Sequence, residues 1–294
     1  MVHIVEIKNS KDLKNFISFP DKLYKGNKYR VPQLHTYEKS ALSSSVNPAF
    51  DFCEAKYWLA YKNKQIVGRI AGIINHRANE KWNEKVVRFG WIDFTEDTDV
   101  SEALLKIVEE WGKSKGMSKT QGPLGFSDMD LEGMLVEGFN EIGTQAVIYN
   151  YPYYPVHLEK HGYSKDVDWV QYEIKVPNEI PDKVKRISEL VQKKYDLKIL
   201  NFKKAKEILP YADQMFNVLN EAFKNLYGFV PLTEKQIKHY VNLYFSMVNP
   251  KYVSFVVDKN NEVVGFGLGF FSLSKALIKA KGKCTTDHIS MAGP

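Results

Sequence analysis

Two distant stretches of the chain share one pattern of apolar and polar positions. Each has two apolar runs of strand length on either side of a short polar turn, and the stretches cover residues 56–75 and 254–271. This pattern predicts a β-hairpin in each place. Glycines recur at a constant offset between the two stretches: Gly68 with Gly265, and Gly72 with Gly269. The hairpin is therefore predicted to be an internal repeat.

The surrounding periodicity predicts a similar order of elements before each hairpin. In residues 1–176 we expect a strand at 2–7, a helix at 13–24 interrupted at Pro20, and an irregular or partly helical connection at 26–52 before the first hairpin. After the hairpin we expect a strand at 86–94, a helix from Asp99 to about 112, a strand at 145–149, a helix at 156–161 and a strand at 168–176. After a boundary near residue 180 we expect a basic helix at 182–195, a strand at 197–202, helices at 208–227 and 233–248, and the second hairpin. Because a strand and helices precede both hairpins, the sequence predicts a duplication.

Composition limits the class of protein. At 294 residues, with 44% apolar and 26% charged residues, the chain has the length and composition of two folded domains. A net charge of +6 suits an anionic partner but equally serves solubility. The two cysteines, Cys53 and Cys284, give no metal-ligand spacing. The first residues lack a secretory-signal profile, and no apolar run is long enough to span a bilayer, so we expect a cytoplasmic protein with no membrane partner.

Two glycine patterns and a run of tyrosines are candidates for ligand binding. The loop that contains Gly122 and Gly125 is followed by acidic residues and then by Tyr149, Tyr151 and Tyr153, which either line an acceptor cleft or pack a short helix against the sheet. In the second hairpin, Gly265, Gly267 and Gly269 alternate with large apolar residues, which leaves bare backbone on one side of the strand. This alternation indicates either close approach of a ligand or a packing contact.

The basic stretch 183–206 is interpreted as a solvated helix face, and nucleic acid is not an expected partner.

The order of elements resembles that of the GNAT superfamily of acyl-CoA N-acyltransferases. The hairpin segment Ile66–Gly72 and the later Leu158-Glu159-Lys160-His161-Gly162-Tyr163, which is similar to the closing Tyr-Glu-Lys-x-Gly-Phe motif of that family, contribute to the resemblance. It covers residues 1–176 as one unit and about 197–273 as the first half of a second. It implies an α+β fold of GNAT type, with a mixed, mostly antiparallel sheet flanked by helices and a partial second copy. It also implies acetyl-CoA or another acyl-CoA as co-substrate, with no metal.

The sequence departs from the family pattern in both units. The family holds the pyrophosphate on a glycine turn that opens a helix, but here residues 94–99 contain three carboxylates and no glycine. Leu158 replaces the usual closing tyrosine. The first unit is therefore expected to be degenerate in acyl-CoA binding. In the second unit the contact with acyl-CoA would fall on Gly265, Gly267 and Gly269, after which the pattern breaks off as if truncated.

The resemblance leads to a functional hypothesis with two alternatives. The leading one is transfer of an acyl group to a small-molecule or peptide amine, impaired in this chain. Asp128, Glu132 and Tyr149 are the candidate acid–base residues, and Gly122, Gly125, Tyr151 and Tyr153 the candidate acceptor-binding residues. The first alternative is a non-catalytic module that binds a ligand or a partner. The oligomeric state cannot be inferred from the sequence.

The second alternative comes from the last residues. Residues 281–294 resemble a segment of the aconitase family and would imply a hydro-lyase, although two cysteines are too few for an iron–sulfur cluster. We prefer to regard this tail as foreign, which divides the chain into 1–180, 181–273 and 274–294. The strand 262–271 is expected to present Val264, Phe266, Leu268 and Phe270 to a core and to lack its next strand. The second unit would then depend on the first, with a loose helix or poor order after Ser274.

Overall fold

A computed structural model describes residues 1–144 and 147–280 of the chain. The chain divides into two compact units. The first comprises residues 1–166, 227–230 and, within the described part, 272–280; the second comprises 167–226 and 231–271. The expected three-part division of the chain stays a prediction.

The first unit is built on a five-stranded sheet. Its strands follow chain order, the first four antiparallel and the last parallel to its neighbour: β1 (His3–Glu6), β2 (Cys53–Lys62), β3 (Gln65–Asn75), β4 (Val86–Phe94) and β5 (Lys119–Gln121). The α-helices within residues 1–166 flank the sheet: α1 (Ser10–Leu23), α2 (His35–Ala41), α3 (His76–Trp82), α4 (Thr98–Ser114) and α5 (Tyr153–Lys160). The expected mixed, mostly antiparallel α+β fold is confirmed.

The first predicted hairpin is confirmed as β2 and β3. Its turn places Asn63 at φ 51° and Lys64 at φ 64°. Two consecutive residues with positive φ are the mark of a type I′ turn, whose twist matches that of the strands it joins. The polar residues of this turn are therefore explained by its backbone conformation as well as by its exposure to water.

Strand β3 places apolar side chains on both faces of the sheet. Ile70 and Ile74 belong to the core beneath α4 and α5, whereas Ala71 and Ile73 belong to the core beneath α1. Gly72 faces the first core, where the position of a Cβ would lie 2.9 Å from a ring carbon of Trp111. The sheet is thus covered on both sides, and Gly72 leaves the room that the Trp111 ring fills.

Helix α1 corrects the prediction of a break at Pro20, because it runs unbroken through that residue. A proline inside a helix cannot donate to the carbonyl four residues earlier, which here is that of Phe16. The Arg69 guanidinium fills this gap, and its Nη1 donates to the Phe16 carbonyl oxygen at 3.0 Å. A buried side chain from β3 thus replaces the missing helical hydrogen bond.

The second unit has a three-stranded antiparallel sheet. Its elements are α6 (Asp182–Tyr195), β6 (Lys198–Asn201), α7 (Ala212–Phe223), α8 (Glu234–Tyr244), β7 (Val253–Val257) and β8 (Val263–Leu268), with strand order β6-β7-β8. A strand and helices therefore precede the hairpin in both units, as predicted, and the duplication itself stays a prediction. Helix α9 (Ser274–Ala280) follows and belongs to the first unit.

The end of the second hairpin differs from the expectation. Phe266 and Leu268 pair with buried Phe255 and Val253, so they share the inner face of the sheet. Leu268 is nevertheless 39% exposed, and Val264, beside a register shift, is 50% exposed. In the described part of the chain no strand covers the outer edge of β8, which explains this exposure.

Two other predictions were wrong. Residues 168–176 form no strand, and neither do 147–149 of the predicted strand 145–149, whose first two residues lie outside the described part. The helix expected after Ser274 is present as α9 and is anchored, since Leu277 packs in a buried cluster with Val31 and Leu34. The tail 281–294 and its likeness to aconitases lie outside the described residues.

Candidate functional site

The candidate site lies where β4 separates from β5. The two strands pair only from Val86 to Arg88, after which a single bond from the Leu124 amide to the Phe89 carbonyl continues the contact. Beyond it, β4 bulges at Trp91, a non-glycine residue with φ 45°. The end of β4 is therefore not paired with β5, and side chains from α1 and α5 reach it.

A buried polar network is centred on Asp93 of β4. One carboxylate oxygen accepts from Arg69 Nε at 2.8 Å, and the other accepts from the Tyr24 hydroxyl at 2.9 Å. Tyr154 adds a longer contact of 3.3 Å to the same oxygen as Tyr24. Burial, and then the charge of Asp93, raise the pKa of both tyrosines, which keeps their hydroxyls protonated as donors.

The positive end of this network reaches helix α2. Arg69 Nη1 lies 3.5 Å from Glu38, whose carboxylate also accepts from the Trp91 indole at 3.0 and 3.1 Å. Burial alone would lower the pKa of Arg69, but the charges of Asp93 and Glu38 raise it. Arg69 is thus held between two carboxylates beside the β4 bulge.

Aromatic rings of five tyrosines surround this end of β4. Tyr24 lies 4.9 Å from Tyr151 and 5.9 Å from Tyr149, centroid to centroid, and Tyr151 stacks on Tyr153 at 5.7 Å. Tyr149 donates to the Phe139 carbonyl at 3.0 Å. The structure therefore brings together Tyr149, Tyr151 and Tyr153, three of the residues that the sequence singled out.

Two of these hydroxyl groups satisfy the backbone of Phe94. Its amide donates to the Tyr154 hydroxyl at 3.0 Å, and its carbonyl accepts from the Tyr153 hydroxyl at 2.6 Å. The end of β4 therefore has side-chain partners in place of a neighbouring strand.

The acidic residues after the glycine loop form a second group. Asp130 accepts from the amides of Phe126 and Ser127 at 2.8 and 3.2 Å, and burial raises its pKa to about 6. Burial, and then the charge of Asp128, raise the pKa of Glu132 to about 8. A carboxyl group with this pKa exchanges its proton close to neutral pH, as a general base must.

Arg88 is the basic group of this second cluster. It is buried, its Nη1 donates to the Gly125 carbonyl at 3.1 Å, and its charge partly offsets the rise in the pKa of Glu132. Burial also raises the pKa of Asp128, which is the most exposed of the three acids. Asp128 and Glu132 are thus electrostatically coupled, whereas the contacts of Tyr149 belong to the tyrosine group.

Close packing accounts for the two loop glycines. A Cβ at Gly122 would collide with the carbonyl of Phe89, and one at Gly125 would collide with the side chain of Asp130. The absence of a side chain at Gly122 lets the loop lie against β4, and its absence at Gly125 lets the Asp130 carboxylate approach the backbone of the same loop. Their proposed contact with an acceptor stays a prediction.

The second unit offers a more open glycine pattern. No atom lies within 4 Å of the position of a Cβ at Gly267, while Gly265 approaches Val256 at 3.9 Å and Gly269 approaches Tyr252 at 3.3 Å. The exposed backbone around Gly267 therefore has room for a ligand, and the proposed acyl-CoA contact stays a prediction.

The N-terminus of α4 is occupied by the chain itself. Asp97 caps it by accepting from the Asp99 amide at 3.1 Å, and the same carboxylate pairs with Lys62 at 2.6 Å. Hydrogen bonding to Lys62 lowers the pKa of Asp97. A pyrophosphate does not fit here unless it displaces this carboxylate.

Helices α4 and α5 are joined by a polar contact. The Ser101 hydroxyl lies 2.9 Å from His157 Nδ1 and 2.8 Å from His161 Nε2, and burial lowers the pKa of His157. Among residues 1–144 and 147–280, no group of three His, Cys, Asp or Glu residues has the arrangement of a metal site.

The network around Asp93 was missed by the sequence reasoning. The sequence contained one indication of this network, a charged residue inside each of two apolar strands: Arg69 in β3 and Asp93 in β4. Charges at such positions are rarely buried without a partner. Their pairing across the sheet was therefore open to inference, although the contribution of Tyr24 and Tyr154 was not.

Comparison with known proteins gives distant relatives. No family model matches the chain. Protein YghO of Escherichia coli is 29% identical over 93% of this chain and 69% of its own length. A bacterial ceramide synthase of Caulobacter vibrioides is 24% identical over 95% of this chain and 72% of its own.

Similar solved structures are acetyltransferases or GNAT proteins by name. A tandem GNAT protein from the clavulanic acid biosynthesis pathway has a TM-score of 0.47 and 9% identity, covering 90% of this chain and 73% of its own. Glucosamine-6-phosphate N-acetyltransferase of Arabidopsis thaliana has a TM-score of 0.34 and 11% identity, covering 60% and 99%. None of the helices in the described residues combines the length and apolar character needed to cross a bilayer. The chain is thus an α+β protein that is similar over nearly all its length to protein YghO and to a bacterial ceramide synthase.

Proposed function

We propose that the protein is an acyl-CoA-dependent N-acyltransferase of GNAT type. The observation that carries the proposal is the shape of β4, which separates from a parallel β5 after Arg88 and bulges at Trp91. In the family that the sequence resembles, a bulged strand pairs with the pantetheine arm of the acyl donor. The predicted order of elements around that strand supports the same assignment.

The reaction requires one proton transfer that this chain has a group to perform. The amine nitrogen attacks the thioester carbonyl carbon, the carbon–sulfur bond breaks, and CoA leaves as the thiol. An ammonium proton must be removed first, and Glu132, with a pKa of about 8, is the proposed acceptor. Burial, and then the charge of Asp128, keep that pKa high. The Tyr149 hydroxyl, which in the structure donates to the Phe139 carbonyl, is proposed to turn its hydrogen bond to the reacting carbonyl oxygen.

The acceptor that we propose is a long-chain amine. A ceramide is the amide of a fatty acid and an amino alcohol, and the Caulobacter relative bears the name of a ceramide synthase. The rings of Tyr151 and Tyr153 supply apolar surface with polar edges, which suits an acceptor of mixed polarity. In the second unit we propose a separate acyl-CoA contact, independent of the one at β4, on the open backbone of Gly265, Gly267 and Gly269.

The test measures thiol release by the full chain. Acetyl-CoA and palmitoyl-CoA are each supplied with sphinganine, with a peptide amine, and with no acceptor. We expect release that depends on an amine and an amide product detected by mass spectrometry. Release that is equal without an acceptor, or absent with every pair, would reject the proposal for this chain.

A second candidate is a non-catalytic binding module, which the N-terminus of α4 favours. Asp97 occupies the amides that would hold a pyrophosphate, and its pair with Lys62 stabilises that state. Calorimetric titration of the full chain with both acyl-CoAs separates the two candidates. Micromolar binding rejects the module, whereas the absence of heat with either compound favours it.

A further inference from the structure

Helix α6 carries an apolar face that the described protein does not cover. Its apolar residues recur at intervals of three and four positions, which places them on one side of the helix. They are Val184, Ile187, Leu190 and Val191, and they are 53%, 47%, 60% and 41% exposed. No residue of α6 is buried. Within the part of the chain that the structure describes, the apolar side of this helix therefore faces solvent and has no partner to stabilise it.

Helix α6 as a whole carries a positive net charge. Within Asp182–Tyr195 the basic residues outnumber the acidic ones: Lys183, Lys185, Arg186, Lys193 and Lys194 against Asp182 and Glu189. All but two of these charges, those of Lys183 and Lys194, lie away from the apolar side by helical spacing. The stem of a lysine can lie along apolar surface while its charged end stays in a polar layer. The helix thus combines an apolar side with a positive net charge, and Lys183 and Lys194 lie at the two ends of the apolar side.

Exposed aromatic residues lie close to α6 in the chain. Trp169 and Tyr172 precede it and Tyr195 is its last residue, and each has more than half of its surface exposed. Rings of this kind favour the boundary between hydrocarbon and water, because one end is apolar and the other carries a polar group.

We propose that α6 binds the surface of an anionic lipid bilayer, with its apolar side in the acyl boundary and its basic residues at the lipid phosphates. Amphipathic helices with Lys and Arg on the polar side bind in this way, without spanning the membrane. The charge favours this occupant over a second copy of the chain, because pairing the apolar sides of two α6 helices would bring Lys183 and Lys194 of both copies together in two helices of positive net charge. Residues 281–294 are a poor match as well, since their sequence is mostly polar.

This inference revises the expectation that the protein has no membrane partner. It rests on α6 and the exposed aromatic residues near it in the chain, and it stands whether or not the protein transfers acyl groups. The experiment therefore measures binding to lipid and no enzymatic activity.

Vesicle flotation with the full chain tests the proposal. Vesicles of phosphatidylcholine alone are compared with vesicles that also contain phosphatidylglycerol, at low and high salt. We expect binding at least about tenfold stronger to the anionic vesicles, and weaker at high salt because the charges are screened. Equal binding to both kinds of vesicle, or binding to neither, would overturn the proposal.

Variants separate the apolar contribution from the charge. Ile187→Ser with Leu190→Ser keeps the net charge and removes apolar surface, so binding to anionic vesicles should fall by about tenfold. Gln192→Ser, a neutral change on the polar side, is the matched control and should stay within about twofold of the wild type. Circular dichroism checks that both variants keep their helices. Retained binding by the double variant would refute the role of α6.

Sedimentation velocity without lipid tests the alternative that a second copy of the chain covers α6. The proposal expects the same monomeric or oligomeric state in the wild type and in the double variant. An oligomer that dissociates on Ile187→Ser with Leu190→Ser would show that a second copy covers the helix, and would overturn the lipid assignment.

Discussion

Replacing Arg69 by methionine should be among the most destabilising single changes in the first unit. Methionine keeps much of the side-chain volume but removes the donors to Asp93 and to the Phe16 carbonyl. Asp93 then stays buried without its cation, and the carbonyl that Pro20 leaves unpaired loses its only replacement donor among the described contacts. The variant therefore removes the donor from one Asp93 oxygen and from the Phe16 carbonyl, and it also removes the cation beside Glu38.

The magnitude follows from burial. Removing one partner of a buried ion pair costs about 3–5 kcal/mol, and an orphaned buried carbonyl costs about 1–3 kcal/mol. The two Tyr hydroxyls that still donate to Asp93 offset part of the loss. We expect a decrease of about 4 kcal/mol in the free energy of unfolding, which for a unit of this size corresponds to about 8–16 °C in Tm.

Urea unfolding followed by tryptophan fluorescence measures the effect. The matched control is Lys56→Met, which breaks the more exposed pair with Glu6 and should cost less than about 1 kcal/mol. Adding Pro20→Ala to Arg69→Met supplies an amide donor for the Phe16 carbonyl and should restore about 1 kcal/mol. If Arg69→Met costs no more than the Lys56 control, the assignment of Arg69 as a buried counter-ion is refuted.

Two further predictions concern pH. Glu132→Gln should lower any acyl transfer by about tenfold or more. Because folding raises the pKa of Glu132 from 4.5 to about 8, the wild type loses stability as pH rises through that range. The variant should therefore be the more stable of the two above pH 8, which thermal unfolding at pH 5 and pH 9 would check. Burial lowers the pKa of His157 below its ordinary 6.5, so stability should be complete above that pH and fall as the pH drops below it; His157→Gln should flatten this dependence in urea titrations, and an unchanged slope would count against it.

Helices and strands in which apolar residues recur at regular spacing were predictable from the sequence, and those that depend on partners distant in the chain were not. Strand β4 and helix α6 were predicted with the bounds that the structure gives them, because the apolar residues of each recur with the spacing of its secondary structure. Helix α3, with the sequence HRANEKW, has no such pattern and was missed. The alternation at 168–176 resembled a strand, but a strand also needs a neighbour to pair with, and the described structure provides none.

The candidate site follows the same division. Glu132 and Asp128 were identified from their position beside a glycine loop, and the structure couples them. The grouping of Tyr24 with Asp93 and Tyr154 was not predictable, because these residues come from three elements that meet only in the folded sheet. Local pattern cannot reveal such a meeting, and a lone charge in a strand shows only that some partner exists.

At the edge of β4, the backbone of Phe94 is hydrogen-bonded to two tyrosine hydroxyls, which a ligand could replace. Any extended ligand that pairs with Phe94 must release the Tyr153 and Tyr154 hydroxyls, so it replaces two hydrogen bonds with two others. Such an exchange is close to neutral in free energy, because bonds of similar strength are lost and gained. Affinity at this edge must then come from apolar contact with the displaced rings. A ligand with a long hydrocarbon chain would gain that contact, whereas a short acyl group would not.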